Sequence, residues 1–516
     1  MIADRIPAKP GSQVEHFETN HLKLDLAERS VRSGVLTLSS QAVKFALGTG
    51  SMIVLARLLT PADYGIVGMV AIILNFAVMF QHLGLSRATV QWPELNHHQV
   101  SNLFWINVGL STIIAITMIG ISPLIASFFN EPRVAAVTIG YAICIFIPGL
   151  SIQHEALLAR QMRFAALTAV DLASLFVGIC VAIIAAWRGA GYWALVYNQI
   201  TVTSIQACGY WWACRWRPGM PTRGTGIRPI LLFGGHFTGT NLMNFFSRNI
   251  DNVLIGRYWG ALELGLYSRS YQLLRLPLEQ ILSPVSSVAI PALSRLSDEA
   301  ENYKKAYLNI IEKIAMITMP GITLMCATSD WLVLLLLGPQ WADTGRIFMF
   351  LGIAAVVQPI TGTCNWLLST QGRTREMFKW SFIAAAISVS SILIGLKWGA
   401  IGVAACYALF DLCLHTPLLL WYAGRKGPVR TLDFYVTLMP SFCASVGSLA
   451  VLLFLRSWLI SVDSLFIRLA IALVLSVITS VAIFASIPAG RKALHGFKHL
   501  IILFSKSRRS PVSDAE

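Results

Sequence analysis

The sequence predicts an all-α, polytopic membrane protein of about 14 transmembrane helices, built as two pseudo-repeated seven-helix lobes around a central cleft. Three observations predict it. Of the 516 residues, 55% are hydrophobic and only 13% are charged, whereas a soluble domain carries about 25% charged residues. The long apolar runs reach the roughly 20 residues a helix needs to cross a bilayer, and the alternating pattern of a transmembrane barrel strand is missing. The chain also overlays on itself in part when shifted by 200 residues.

Taken in order, residues 1–33 form a polar arm with Arg5, Lys9, Lys23, Arg29 and Arg32. It lacks an apolar signal core and a small-residue cleavage site, so it is expected to be retained on the cytoplasmic side. Apolar segments follow at 34–56, 63–84, 103–128, 134–152, 164–187 and 191–213, making an N-lobe over 34–213. The Pro, Gly and Arg of 214–229 suit a cytoplasmic link between lobes. A C-lobe over 230–422 holds segments 230–256, 262–293, 307–335, 345–369, 377–397 and 400–422, and two more span 434–455 and 465–487. In the basic tail, 488–516, Leu494, Phe497, Ile501 and Phe504 recur at helical spacing among lysines and arginines, as in a helix lying on an anionic leaflet.

The charge pattern supplies orientation. Lys and Arg in alternate connections number 27 on the side of the amino terminus and seven on the other, which places both termini in the cytoplasm of a multi-pass inner-membrane protein. The net charge of +15 is spread over those connections, so no nucleic-acid partner is expected. The nine cysteines are scattered without a C-x-x-C pair, and no disulfide, metal site or cofactor is predicted. His97 and His98 precede a helix with no further ligand at metal spacing and read as solvated.

Polar stripes run along three of the segments. In the seventh, Asn241, Asn244, Arg248 and Asp251 share one helical face, and in the eighth so do Ser268, Gln272, Arg275 and Glu279. In the first, Thr37, Gln41, Lys44, Gly48 and Ser51 do the same. The 200-residue shift brings Gln41 onto Asn241, Lys44 onto Asn244, Asn75 onto Arg275, Arg57 onto Arg257 and Gly65 onto Gly265. Such duplication about an axis along the membrane normal turns equivalent faces toward one cleft. The turn residues Thr60, Pro61 and Asp63 are helix-start chemistry and read as structural. Farther along, GAGYWALVY at 189–197 and GAIGVAACY at 399–407 share a glycine-rich helix entry.

Six stretches carry a family resemblance: ARLLTPADYG (56–65), GLSRATVQ (84–91), ALLARQMRF (156–164), SRNIDNVLIGRYWGALELGLYSRSYQLLRLP (247–277), IPALSRL (290–296) and LLLLGPQW (334–341). Through them the chain resembles the Wzx-like lipopolysaccharide and exopolysaccharide flippases of the polysaccharide transport family, in the multidrug/oligosaccharidyl-lipid/polysaccharide exporter superfamily. The resemblance implies a two-lobed transporter that moves an undecaprenyl-diphosphate-linked oligosaccharide across the inner membrane through a cationic cavity. Its partners would be the lipid-linked oligosaccharide and inner-membrane lipids, with a polysaccharide polymerase and a chain-length regulator as candidate associates.

Fixed cations in a wet cleft lower the cost of carrying a diphosphate through a low-dielectric slab. Lys44, Arg248 and Arg275, with Arg269 behind them, are the candidate headgroup contacts, and Gln41, Asn75, Asn241, Asn244 and Gln272 the candidate polar lining. Lys44 has no acid within a helical turn and is expected to be the unpaired charge. Arg248–Asp251 and Arg275–Glu279 can equally be self-neutralising pairs. Asp251, Asp171 and Asp411 are the candidate carboxylates for a coupling ion, with His415 one turn from Asp411. Two rival readings remain open. A multidrug antiporter of the same superfamily would be expected to have a more acidic, apolar cleft, and a polysaccharide polymerase or ligase a long outer loop. No phosphate-binding loop or nucleotide turn marks an enzyme.

Overall fold

The structure is a computed structural model that describes residues 26–82, 86, 89, 90, 92, 95–222 and 228–496, with side chains from residue 39 onward in the first helix and from 249 onward in the long helix. The arm over 1–25 and the tail beyond 496, with Phe497, Ile501 and Phe504, lie outside the described residues. Among the described residues every regular element is helical. In chain order they are α1 (Leu26–Leu58), α2 (Pro61–His82), α3 (His97–Phe129), α4 (Arg133–Gly149), α5 (Ile152–Arg160), α6 (Phe164–Trp187), α7 (Trp193–Cys214) and α8 (Arg228–Arg295). They continue as α9 (Ala300–Ala327), α10 (Ser329–Leu336), α11 (Thr344–Ala355), α12 (Gln358–Thr370), α13 (Thr374–Gly395), α14 (Gly399–Phe410), α15 (Thr416–Gly424), α16 (Thr431–Phe454), α17 (Arg456–Ile460) and α18 (Leu465–Ser486).

Nine helical runs among the described residues are long and apolar enough to cross a membrane, or ten if the bent pair α4–α5 is one span. One of those runs, Thr374–Gly424, contains two of the segments predicted above, and Asn249–Arg295 contains the eighth together with the end of the seventh. The chain is thus a multi-pass, all-helical membrane protein. The seventh and eighth segments are one run, α8, interrupted by Gly260 at φ 81° and ψ −171°, a conformation only glycine adopts without strain. Three of its prolines, at 277, 284 and 291, follow that break.

Helix starts follow local chemistry. Thr60 and Asp63 open α2 as a capping box, with the Thr60 amide donating to Asp63 Oδ2 at 2.9 Å and the Asp63 amide donating to Thr60 Oγ1 at 3.3 Å. Asn96 and Gln99 do the same for α3, at 2.8 and 3.1 Å. Asn130 ends α3 in the left-handed conformation, φ 53°.

The chain divides into two compact units, Met1–Gly265 and Leu266–Glu516, a boundary later than the 214–229 link between the predicted lobes. In the first unit α1 packs along α6, α6 along α7, α7 on α4 and α4 on α3. Its core includes the buried Leu103, Phe104, Leu157, Leu158 and Trp216. In the second, α9 packs on α16, α16 on α18 and α13 on α14, around Tyr303, Tyr307, Leu367, Leu368 and Phe434.

The repeat is visible inside each unit. Gln161–Met162–Arg163 turns the chain into α6, with Met162 at φ 54° and the Arg163 guanidinium donating to the Ala213 carbonyl at 3.0 Å. Gln371–Gly372–Arg373 turns it into α13, with Gly372 at φ 68° and Arg373 donating to the Ala423 carbonyl at 3.0 Å. Gly189 and Gly399, the shared entry noted above, have φ of 81° and 71°. Within the first unit, a Cβ on Gly65 would meet the Ala261 carbonyl at 1.7 Å, and one on Gly265 would meet the Pro61 carbonyl at 1.8 Å. These repeat-related residues approach one another reciprocally, which is why neither position holds a side chain.

His97 is not solvated as expected: its Nδ1 accepts from the Trp216 indole at 3.2 Å. The amide of Gly219 donates to Ser101 Oγ at 2.9 Å, and Asn102 binds both the amide and the carbonyl of Thr222, at 2.9 and 2.7 Å. The start of the link between lobes is thereby clasped to the first turns of α3, which periodicity could not indicate.

Candidate functional site

Lys44 lies midway along α1, and the packing of α1 on α6 brings its Nζ to 2.6 Å from Asp171 Oδ2. From α7, Tyr210 donates its hydroxyl to Asp171 Oδ1 at 2.5 Å, and the Gln206 amide approaches the same oxygen at 3.5 Å. Gln206 and Tyr210 are one turn apart, so α7 presents both to one carboxylate. Glu155 of α5 lies within electrostatic reach of both Asp171 and Lys44. Four helices therefore converge on a cluster of one ammonium and two carboxyls. The side chains of Lys44 and Asp171 are 36% and 27% exposed, and Glu155 is exposed as well. Ionised groups in a membrane protein that keep such exposure face a polar space, because exposure to hydrocarbon would be costly.

This corrects the expectation that Lys44 is the unpaired charge. Spacing along one helix finds only acids on that helix, whereas Asp171 is 127 positions away in sequence. Of the cluster, Lys44 and Asp171 were singled out from sequence; Glu155, Gln206 and Tyr210 were not. Glu155 follows the fourth predicted segment in a stretch that also holds Gln153, His154 and Arg160, so neither it nor Tyr210, a tyrosine in a membrane helix, stood out.

Gln41, one turn before Lys44, is exposed, as is Asn75 on α2. The side chains of Thr37, Asn241, Asn244 and Arg248 lie outside the described residues. Asp251 is half-buried, and its Oδ1 accepts from the backbone amide of Asn252 at 2.8 Å and from its side-chain amide at 3.3 Å.

In the second unit the charged groups singled out from sequence pair within one turn, whereas Lys304 with Asp433 and Arg456 with Asp330 pair between helices. Arg275 contacts Glu279 one turn on, with both side chains about half exposed. The Arg269 guanidinium donates to Gln272 at 2.5 Å. Asp411 and His415 lie in a single π-helical turn between α14 and α15, with Asp411 Oδ1 2.8 Å from His415 Nδ1. Asp411 is buried, and its Oδ2 has no hydrogen-bond partner among the described residues. Such π turns recur at functional positions in helices. Among the described residues, no group of three or more His, Cys, Asp and Glu side chains could hold a metal ion.

The chain is 21% identical to the lipopolysaccharide biosynthesis protein WzxC of Escherichia coli (strain K12), over 75% of this chain and 80% of that protein. It is 23% identical to the succinoglycan biosynthesis transport protein ExoT of Rhizobium meliloti (strain 1021), over 80% of this chain and 84% of that protein. Its fold is similar to that of the lipid II flippase MurJ in an inward closed conformation, with a TM-score of 0.66 at 14% identity, over 88% of this chain and 99% of that one. The family profile described as polysaccharide biosynthesis protein matches residues 54–346, a stretch that holds the Lys44 partner Asp171, the turn into α6 and the whole of α8. By that match over more than half of its length, the chain belongs to the polysaccharide biosynthesis protein family.

Proposed function

We propose that the protein is a flippase that moves a polyprenyl-diphosphate-linked oligosaccharide across the bacterial inner membrane during surface polysaccharide synthesis. The observation that carries this reading is membership of a polysaccharide biosynthesis family by a chain with the fold of a lipid flippase. Relatives matched over three quarters or more of this chain include a lipopolysaccharide biosynthesis protein and a succinoglycan biosynthesis transport protein, which supports transport of a saccharide as the shared activity. The antiporter and polymerase readings have no observation of comparable weight behind them.

The termini are proposed to be cytoplasmic, on the strength of the asymmetry of Lys and Arg between the two sets of connections. Transport is proposed to proceed by alternating exposure of the charged faces to the two sides of the membrane. Lys44, Arg248 and Arg275 are the proposed diphosphate contacts, with Arg269 supporting them. For Lys44 the ion pair at 2.6 Å adds a condition: the diphosphate must exchange with Asp171 for the ammonium. Asp171 then has a role of its own, holding Lys44 while no cargo is bound, and with Glu155 it is the proposed place for a coupling ion. Asp251 and Asp411 are the alternatives for that role. A polymerase and a chain-length regulator are proposed partners acting downstream on the translocated product.

The test is transport itself. Proteoliposomes containing the purified protein should make a fluorescently labelled polyprenyl-diphosphate oligosaccharide accessible on the opposite leaflet faster than protein-free liposomes, and a deletion strain should lose surface polymer. Equal rates with and without protein, together with intact polymer in the deletion strain, would remove the proposal.

A further inference from the structure

The second unit contains a cavity of about 640 Å³ walled by α9, α10, α11, α16, the start of α17 and the π turn that follows α14. That volume is in the range of ligand pockets, roughly 300–1,000 Å³. Its walls include Ile353, Leu412, Phe442, Val446 and Leu453, all of them exposed large apolar side chains. On membrane-spanning helices such residues face hydrocarbon, so the cavity opens sideways toward the acyl chains and not into an aqueous lumen. Three charged residues, Asp330, Arg346 and Arg456, line it where the connections at 328–343 and 455–464 meet the membrane face.

Two of the three neutralise one another. The Arg456 guanidinium donates to Asp330 Oδ2 at 2.7 Å and to the Ala327 carbonyl at 2.9 Å, and it lies over the Trp331 ring at 5.3 Å. Arg346, in the first turn of α11, is exposed and has no hydrogen bond or ion pair among the described residues. An apolar chamber open to lipid, with one uncommitted guanidinium at its membrane-surface end, is complementary to a molecule with one anionic head and an alkyl chain. Arginine suits a phosphate because its fork can donate two parallel hydrogen bonds.

We propose that this cavity binds a membrane phospholipid with a net-negative headgroup, its phosphate on Arg346 and one acyl chain against Val446 and Phe442. The site is separate from the Lys44 cluster and does not rest on the transport reading. Its occupant is a resident bilayer lipid rather than cargo, because the mouth carries a single uncommitted cation and the chamber adjoins ordinary hydrocarbon.

The probe is dioleoyl phosphatidylglycerol, with dioleoyl phosphatidylcholine, zwitterionic and without net charge, as the comparison. Native mass spectrometry of the full-length protein, titrated with each lipid in detergent, should show one saturable phosphatidylglycerol site and no saturable phosphatidylcholine site. Arg346→Gln, at an exposed position that no fold contact uses, should weaken phosphatidylglycerol binding by about tenfold while leaving the melting temperature of lipid-free protein unchanged. Val446→Trp, which fills the chamber, should abolish the site with Arg346 intact. Equal retention of the two lipids, or phosphatidylglycerol binding unchanged in Arg346→Gln, overturns the proposal. So does displacement of phosphatidylglycerol by an equimolar polyprenyl phosphate, which would make the chamber a cargo site.

Discussion

The two units repeat a scaffold but not a chemistry. Arg163 and Arg373 cap equivalent carbonyls at the same 3.0 Å, and the turns that place them both contain a residue with positive φ. Around that common frame, the first unit joins Lys44, Asp171, Glu155 and Tyr210 from four helices. The repeat-related positions 244, 381, 365 and 420 hold Asn, Ser, Asn and Leu. In the second unit the candidate site charges pair locally, Arg275 with Glu279 and Asp411 with His415, while its interhelical pairs, Lys304 with Asp433 and Arg456 with Asp330, involve none of those four positions. A pair within one helix holds that helix's own charges in place whatever its neighbours do. A pair between α1 and α6 is broken or made only when those helices or their contents change.

Breaking the interhelical pair should therefore cost more than breaking a local one. Asp171→Ala leaves the Lys44 ammonium without its nearest anion. For a fully buried pair such a loss costs about 3–5 kcal/mol, and the partial exposure of this one reduces the expectation to about 1–2 kcal/mol. Thermal unfolding in detergent should register it as a lower melting temperature, with a loss of transport on top. A Lys44→Met/Asp171→Leu double variant should recover the stability and not the transport.

Arg275 sharpens the contrast from the other side. Its pair with Glu279 is exposed, so removing it should change stability by less than about 1 kcal/mol. Arg275→Glu should nevertheless abolish polymer export while the protein remains folded in the membrane, because the proposed contact with the diphosphate is reversed in sign. Full export in that variant would leave Arg275 with its local pair alone.

The shared scaffold allows a smaller test. Gly372 has φ 68° and open space around its Cβ position, so Gly372→Ala should destabilise by about 1 kcal/mol from backbone strain alone. Met162 adopts the same turn at φ 54°, and Met162→Gly should relieve comparable strain. Opposite shifts in melting temperature would show the two turns to be one device used twice. Shifts of the same sign would separate them.

How much of this was legible in the sequence depends on the range of the interaction. Helix order was legible because each membrane helix must satisfy its own backbone and so announces itself as a continuous apolar run. The capping of α2 by Thr60 and Asp63 was legible because both residues lie within one turn. The contacts of Arg275 with Glu279 and of Asp411 with His415 follow from spacing of four residues on a helix. The Lys44–Asp171 pair was not legible, because periodicity records which residues share a face and says nothing of which helix lies against it. The same limit hid Glu155 and Tyr210. The turn before α13 was obscured differently: its glycine replaces a methionine in the first copy, so matched backbones carry unmatched residues.

The most direct measurement is transport of labelled polyprenyl-diphosphate oligosaccharide by proteoliposomes carrying Lys44→Asp/Asp171→Lys, beside each single variant and the native protein. The swap restores an ion pair between α1 and α6 while moving the ammonium from one helix to the other. The account predicts a melting temperature recovered relative to the single variants and transport that stays lost, because the diphosphate needs the cation on α1. Native transport rates in the swapped protein would contradict it, reducing Lys44 and Asp171 to a strut between two helices.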